Sequence, residues 1–302
     1  MGIIIESAAT FAQPRHAARL GSLALATRAA KRAIARAGRE AGDVRALVNA
    51  SVFPEGFVVE PASAAFIQRD LGTNPRARQE TQAFSFDLNA GACGALTAIE
   101  VLKGFLTSER DLGLVVVGDA DPTPGVSSGY AYEELGGAIL LASGPPGAGF
   151  LAHRTQSFPE YEDHISARGL PTVDPSTNQP AGCFALVVEE KPDTREAVAV
   201  CVDQAATRFL NDLGNPRIDL VIAPQLDAFQ VSRIAGGKLQ GARCFLDRGD
   251  TGRWHASGLI AGIDETMQTG VLGEAERTLM LTVGSGLTVS TTLYRGRTEL
   301  GR

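Results

Sequence analysis

The stretch FSFDLNAGACGALTAIEVLKGFLTSERDLGLVVVGDAD, residues 84 to 121, decides the fold of this chain. A short apolar run leads into the small residues NAGACG (89–94), an amphipathic helix pattern follows, and a buried-strand run comes next at 112–117. Small residues at a strand-to-helix turn let another group approach the backbone closely. A cysteine there lies at a helix N-terminus, where unpaired N–H groups and the helix dipole favour the thiolate. Cys93 is therefore the leading candidate for a reactive residue.

Composition excludes several classes of partner. The 302 residues are 44% hydrophobic and 21% charged, with a formal net charge of −6, so the chain has no basic footprint for nucleic acid or an anionic membrane. The first residues lack the pattern of a signal peptide, and no apolar run approaches the roughly 18 residues of a membrane span. The four cysteines form no CxxC pair, and no metal-ligand spacing is present. We expect a cytoplasmic protein without a metal.

The order of predicted elements repeats itself along the chain. A helix, an acidic turn and a strand occupy 22–52, and the same order returns at 195–223. A small-residue turn, a helix and a strand occupy 89–118 and return at 250–283, and each half then passes through glycines into a further strand. This order predicts an α/β fold, one domain of two pseudo-repeats, at about 1–150 and 180–302, with a site where they meet. The intervening 144–182, rich in Pro and Gly, is predicted to be an irregular connection.

Three segments resemble the β-ketoacyl-ACP synthase III branch of the thiolase-like superfamily. The opening stretch resembles the segment around that family's nucleophilic cysteine, and IAPQLDAFQVSRIAGGKL (222–239) resembles the segment that carries its catalytic histidine. RGDTGRWHASGLIAGIDETMQTG (248–270) and LMLTVGSGLTVS (279–290) resemble its asparagine loop, the following helix and the oxyanion turn. The resemblance covers most of the chain from about residue 22 onward. It implies a thiolase-like five-layer αβαβα fold, and a dimer either with a second copy or with a related synthase.

The chain departs from the family at each catalytic position. Aligned without gaps, the family's cysteine falls on Ala92, and one residue along a helix rotates a side chain by about 100°, so Cys93 serves only if the turn carries an extra residue. Gln225 occupies the histidine position. Asp250 occupies the asparagine position and is followed by an apparent insertion that contains His255. The family's N-terminal strand, helix and coenzyme A-packing segment are largely missing.

The resemblance implies an acyl thioester of coenzyme A or of acyl-carrier protein as substrate, and no permanently bound cofactor. A thiolate would attack the thioester while backbone N–H groups hold the developing oxyanion. The residues predicted to bind the substrate are Asn89, Ala92, Gln225, Gly284 and Gly286.

Two functions remain open. Cys93, His255 and Asp250 form a set suited to acyl transfer, in which the histidine deprotonates the acceptor and the aspartate orients the ring. An ionised Asp250 would repel a malonate carboxylate, which disfavours decarboxylative condensation. We therefore expect an acyltransferase or condensing enzyme of fatty-acid or polyketide-type biosynthesis that acts through a cysteine acyl-enzyme. The alternative is a catalytically silent subunit partnering an active synthase, with Cys93 as a core residue and His255 and Asp250 as helix caps.

Overall fold

A computed structural model describes residues 1–13, 16, 18–74, 82–174, 176–177, 179–247 and 254–296. The strands are β1 (Gly2–Ala12), β2 (Val44–Asn49), β3 (Phe84–Asp87), β4 (Leu112–Asp119), β5 (Leu135–Gly144), β6 (Gly149–Ser157), β7 (Ile165–Asp174), β8 (Gln179–Glu190), β9 (Leu220–Ala223), β10 (Arg243–Leu246), β11 (Arg277–Gly284) and β12 (Thr288–Arg295). The helices are α1 (Ser22–Arg36), α2 (Ser63–Leu71), α3 (Gly94–Leu102), α4 (Thr194–Asp212), α5 (Ala228–Arg233), α6 (Ala256–Gln268) and α7 (Val271–Glu274). Within the described ranges, no helix combines the length and apolar character needed to cross a membrane.

Two five-stranded sheets of the same topology form the framework. Their strand orders are β1-β5-β4-β2-β3 and β6-β12-β11-β9-β10. In each sheet the first three strands pair antiparallel and the last three pair parallel, so every strand of one half has a counterpart in the other. The predicted duplication of an α/β unit is confirmed.

Helices cover both faces of each sheet. The core between the sheets contains Leu96 and Ile99 of α3 and Leu259 and Ile263 of α6, packed against strand residues such as Val115. The helix α1 covers the outer face of the first sheet, and α4 covers the outer face of the second. Because β4 is buried on both faces, it reads as a continuous apolar run in the sequence. The layers follow the predicted αβαβα order.

The structure corrects the expectation of an irregular connection at 144–182. β6 joins the second sheet beside β12, as the counterpart of β1. β7 and β8 form a separate antiparallel hairpin. The hairpin is held to the first half at Ser128, which donates its N–H to the Leu186 carbonyl at 2.7 Å and accepts from the Val188 N–H at 3.0 Å. Many hairpin side chains are exposed, and the sequence therefore lacks the apolar periodicity of a packed element.

The N-terminal strand, expected to be missing, is present as β1. It pairs along its length with β5. Ile3, Ile4, Ile5, Ala8 and Ala9 are all buried, so both faces of the strand are covered and the alternation of a half-exposed strand is absent. After β9 the chain forms the short helix α5 and then a 3₁₀ turn, Ile234–Gly237, because Ala235 and Gly236 adopt positive φ. No strand pattern in the sequence predicts the short edge strand β10.

The close packing of α1 on the first sheet predicts a specific sensitivity. A Cβ added at Gly136 would fall 2.1 Å from the Leu25 carbonyl oxygen, so the helix backbone must move. We expect Gly136→Ala to lower the free energy of unfolding by about 2 to 3 kcal/mol, as overpacked core substitutions do. Denaturant titration followed by circular dichroism measures this change.

The matched control is Gly273→Ala in α7, where an added Cβ meets no heavy atom within 4 Å and the glycine has no positive φ. Alanine favours a helix over glycine, so this variant should be as stable as the parent or more stable. Equal stability of both variants would contradict the packing described for α1.

Candidate active site

A cavity of about 360 Å³ lies where the two halves meet. This volume falls in the usual range of ligand pockets, about 300 to 1,000 Å³. The first half contributes the segment after β2, the turn before α3 and Tyr132. The second half contributes the segments after β9 and β11 and the start of α6, while the hairpin and the start of α4 close one side. The lining includes Val52, Phe53, Gly91, Ala92, Tyr132, Ile165, Ala167, Glu190, Lys191, Thr194, Arg195, Val198, Gln225, Asp247, Trp254, His255, Val283, Gly284 and Ser285.

His255 in the cavity wall is paired with a buried carboxylate. Its Nδ1 lies 3.3 Å from Oδ1 of Asp119, the last residue of β4, which is only 2% exposed. The second oxygen, Oδ2, accepts the backbone N–H of Ser257 in the first turn of α6, at 2.7 Å. The carboxylate therefore fixes both the imidazole and the helix start. With Nδ1 directed at Asp119, Nε2 is the ring nitrogen left for a ligand, which is the arrangement of an oriented general base.

Aromatic rings surround the imidazole. Phe53 stacks on it with centroids 5.3 Å apart and ring planes 5° from parallel. Tyr132 lies at 4.3 Å with a tilt of 35°. Tyr130 packs against both rings, at 6.1 Å from Phe53 and 5.4 Å from Tyr132. Burial, together with the charges of Asp119 and Asp121, raises the pKa of Tyr130, so its phenol stays neutral. These contacts place the imidazole among aromatic rings.

The expectation that Cys93 faces the site is wrong. Its side chain is buried against β11 and β12, where Sγ lies 3.6 Å from the Thr282 carbonyl oxygen and 3.4 Å from that of Thr288. The cavity wall at this turn comes instead from Gly91 and Ala92. This placement agrees with the ungapped alignment, in which Ala92 falls on the family's cysteine position. Burial raises the pKa of Cys93 despite nearby hydroxyl and N–H groups, which disfavours the thiolate.

Gln225 lies in the cavity wall, but β11 holds its amide. Nε2 donates to the Val283 carbonyl at 3.0 Å, and Oε1 accepts the Val283 N–H at 2.9 Å. One N–H of the amide remains for a ligand. Gln225 thus mainly connects the segment after β9 with the end of β11 through these two hydrogen bonds.

The other residues that were predicted to form the site do not all line the same cavity. Gly284 lines the cavity together with its neighbour Ser285, whereas Gly286 lies in the same turn outside the lining. Asn89 lines a second, adjoining cavity. Asp250 lies outside the described residues. Of the two described members of the predicted set, Cys93 and His255, only His255 lies at the cavity.

Asp119 is the site residue that sequence reasoning missed. The available signal was an acidic residue at the carboxyl end of a buried strand, where an unpaired charge is costly and a partner is expected. That partner, His255, is 136 residues away in sequence. The contact exists only once the two halves have packed together.

The hairpin side of the cavity carries ion pairs. Lys191 Nζ lies 2.5 Å from Asp163. Arg195 lies 2.5 Å from Asp227, which also accepts the Gln230 N–H and caps α5. Although burial opposes it, these contacts hold the pKa of Asp227 below its usual value. Among the residues described, no cluster of three or more metal-ligating side chains occurs. The cavity therefore combines aromatic rings around one imidazole with ion pairs near its side.

Comparison with known proteins confirms the predicted resemblance, although no protein-family model matches the chain. The chain is 23% identical over 286 residues to the β-ketoacyl-ACP synthase III of Desulfotalea psychrophila, covering 90% of this chain and 83% of that protein. It is 27% identical over 287 residues to the corresponding protein of Acidiphilium cryptum, covering 88% and 82%.

Solved structures confirm the thiolase-like fold. The 3-oxoacyl-ACP synthase III of Aquifex aeolicus superposes with a TM-score of 0.74 at 18% identity, covering 97% of this chain and 100% of that one. The acyltransferase ChlB3 superposes with a TM-score of 0.72 at 21% identity, covering 98% of each chain.

The position of Cys93 predicts low thiol reactivity. Cys93 is 1% exposed with a raised pKa, whereas Cys183 is exposed. At neutral pH we expect iodoacetamide to alkylate Cys183 in the native protein and to leave Cys93 unmodified, because alkylation requires an accessible thiolate. Peptide mass spectrometry quantifies both sites, and unfolding in guanidinium should make both reactive. Native labelling of Cys93 as fast as that of Cys183 would refute the orientation described here.

Proposed function

We propose that this chain, a divergent β-ketoacyl-ACP synthase III-like protein, binds an acyl thioester in the 360 Å³ cavity and transfers the acyl group directly to an acceptor. The observation that carries the proposal is the His255–Asp119 pair in a cavity where Ala92 occupies the family's cysteine position. The relatives are named as β-ketoacyl-ACP synthase III, which favours acyl-thioester chemistry.

The turns at Gly91–Ala92 and Gly284–Ser285 are where we expect the thioester carbonyl to bind. Both turns line the cavity, and the first leads directly into α3. Backbone N–H groups at a helix start are unpaired within the helix and suit a developing oxyanion. Ala92 offers a methyl group where the family has sulfur. The acyl group therefore stays on its own thiol until the acceptor attacks.

His255 then supplies the proton transfers. Nε2 takes the proton from an acceptor hydroxyl or amine as its oxygen or nitrogen bonds to the thioester carbonyl carbon. The carbon–sulfur bond breaks, and the imidazolium returns the proton to the departing thiolate. Asp119 holds the ring and stabilises its charged form during the reaction. The products are an ester or amide and a free thiol.

Two alternatives are less favoured. Gln225, at the family's histidine position, cannot carry a proton, and its amide is bonded to Val283, which argues against condensation by the family's route. A silent subunit would have no need of a buried carboxylate paired with an imidazole in the cavity wall. We expect the reaction to serve fatty-acid or polyketide-type biosynthesis in the cytoplasm, a reducing compartment that suits the four free cysteines.

The direct mechanism predicts that His255, and not Cys93, is required. We expect His255→Ala to lower the rate of thiol release from an acyl-coenzyme A by about 10²- to 10⁴-fold, the usual contribution of a general base. Cys93→Ser should retain most of the activity. A thiol-reactive dye measures coenzyme A release in the presence of a panel of alcohols, amines or water as acceptors.

Intact-protein mass spectrometry provides the decisive control. The direct mechanism predicts no acyl adduct under single-turnover conditions. An adduct on Cys93, or on another cavity residue such as Ser285, would contradict it. Failure of every acyl thioester either to bind or to be consumed would leave the silent-subunit alternative.

We also propose that β3 forms a dimer contact. β3 is the edge strand of the first sheet, and Phe84 on it is 56% exposed. Phe84 stacks with Phe105 at 5.9 Å and contacts Phe86 at 5.5 Å, so three aromatic rings form one surface cluster. An apolar edge strand is a template for pairing with another chain. A second copy paired along β3 would cover both the rings and the unpaired backbone groups.

If β3 forms the dimer contact, a single charged side chain introduced on this strand should dissociate the dimer. We expect the parent protein to elute as a dimer in size-exclusion chromatography with light scattering, and Phe84→Glu to elute as a monomer, because the charge would be buried without a partner. Phe229→Glu is the matched control, since Phe229 is 58% exposed on α5 of the other half. A monomeric parent, or a dimeric Phe84→Glu, would rule out the β3 contact.

A further inference from the structure

A second cavity, of about 270 Å³, adjoins the first. The two cavities share three lining residues, Val52, Phe53 and Ala167. Beyond them the second cavity is lined mainly by apolar groups, with Asn89 and Arg168 as its polar members; the remaining residues are Pro54, Phe57, Val59, Gly169 and Leu186. Val52, Phe53 and Ala167 thus form the partition between the two cavities, and none of them has a polar side chain. The partition and the largely apolar space behind it suit an alkyl chain.

Phe53 is the largest side chain of this partition and also contacts the base. It is 9% exposed and stacks on His255 with nearly parallel rings, 5.3 Å apart. Its other ring neighbours, Tyr130 and Tyr132, lie farther away, at 6.1 and 6.5 Å. The gain from such ring stacking is small compared with the gain from burying several methylene groups of a ligand. An alkyl chain of sufficient length can therefore displace the ring.

We propose that Phe53 is a gate that makes the protein sensitive to the length of the acyl chain. This inference rests on the proposed function, because it assigns the tail of the same acyl thioester. A short acyl group occupies the first cavity and leaves Phe53 stacked on His255. A long acyl group turns the Phe53 ring aside and extends into the second cavity between β7 and the segment after β2.

The gate links chain length to the base. The ring that must move for a long chain is the ring that holds one face of the His255 imidazole, while Asp119 holds Nδ1. Chain length therefore changes the surroundings of the base as well as the contacts of the tail. In this arrangement Phe53 determines specificity and also positions His255.

Three variants test the gate by binding. The probes are ketone analogues of acetyl- and dodecanoyl-coenzyme A, in which a methylene separates carbonyl and sulfur so that no transfer occurs. We expect Phe53→Ala to join the cavities and to raise the affinity for the dodecanoyl analogue, relative to the acetyl analogue, by about tenfold. Val198→Ala is the control, because Val198 lines the first cavity and not the second. It should leave the ratio unchanged.

The third variant closes the second cavity. Gly169 lines only that cavity, and a Cβ added there would lie 3.4 Å from the Phe57 ring, an ordinary contact. We expect Phe53→Ala combined with Gly169→Leu to lose the gain in dodecanoyl affinity and to keep acetyl affinity. Isothermal titration calorimetry gives both affinities for each variant.

The His255 ring provides a readout that a purely structural role for Phe53 would not move. The chain has four histidines, so the imidazole protons are resolvable by NMR, with His255→Gln used only to assign the signal. In the parent protein we expect the acetyl analogue to leave the Phe53 ring-current shift of His255 in place and the dodecanoyl analogue to remove it. In Phe53→Ala the signal should no longer depend on chain length.

The outcomes separate the gate from the proposed function. If the analogues bind but Phe53→Ala changes neither the affinity ratio nor the dependence of the His255 signal on chain length, the gate is wrong and the proposed function stands. If no analogue binds the parent or any variant, both the proposed function and the gate fail.

Discussion

Burial of α3 and α6 between the two sheets is the constraint on which the site depends. Both helices pack with their apolar residues in one core, together with inward-facing side chains of each sheet. Each helix starts at the cavity, α3 after the turn at Gly91–Cys93 and α6 at His255. The duplication therefore directs two helix starts, with the positive ends of their dipoles, towards one space. A single repeat could not form this arrangement, because each half supplies only one of the two starts.

Asp119 connects this packing with the chemistry. Its carboxylate lies at the end of β4 in the first half, while its partners among the described residues, the His255 ring and the Ser257 N–H, belong to the second half. A buried carboxylate without partners is strongly unfavourable, so this contact favours one relative placement of the halves. The same carboxylate that stabilises the start of α6 therefore sets the orientation of the base. The contacts of Asp119 therefore contribute both to the packing of the two halves and to the geometry of the site.

The sequence predicted the fold better than the site, for physical reasons. Strands such as β4 and β9 are buried on both faces and read as apolar runs, and the repeated order of elements revealed the duplication. β1 was missed because its burial on both faces removes the alternation, and the hairpin because its exposure removes the pattern altogether. Element order depends on local signals and is largely readable. The direction of one side chain at a turn depends on the exact position of its residue in that turn, because neighbouring residues point in different directions.

Cys93 shows that a shift of one residue in the turn decides which side chain faces the cavity. Cys93 follows Ala92 by a single residue, yet its sulfur lies against β11 and β12 while Ala92 lines the cavity. There burial outweighs the nearby hydrogen-bond donors and raises the thiol pKa, so the helix start that would favour a thiolate acts on Ala92 instead. In the proposed mechanism, the methyl group at that point removes the covalent step but leaves the N–H groups of the turn in place. Proton transfer in that mechanism falls to His255, whose place at the start of α6 and contact with Asp119 do not depend on the cysteine.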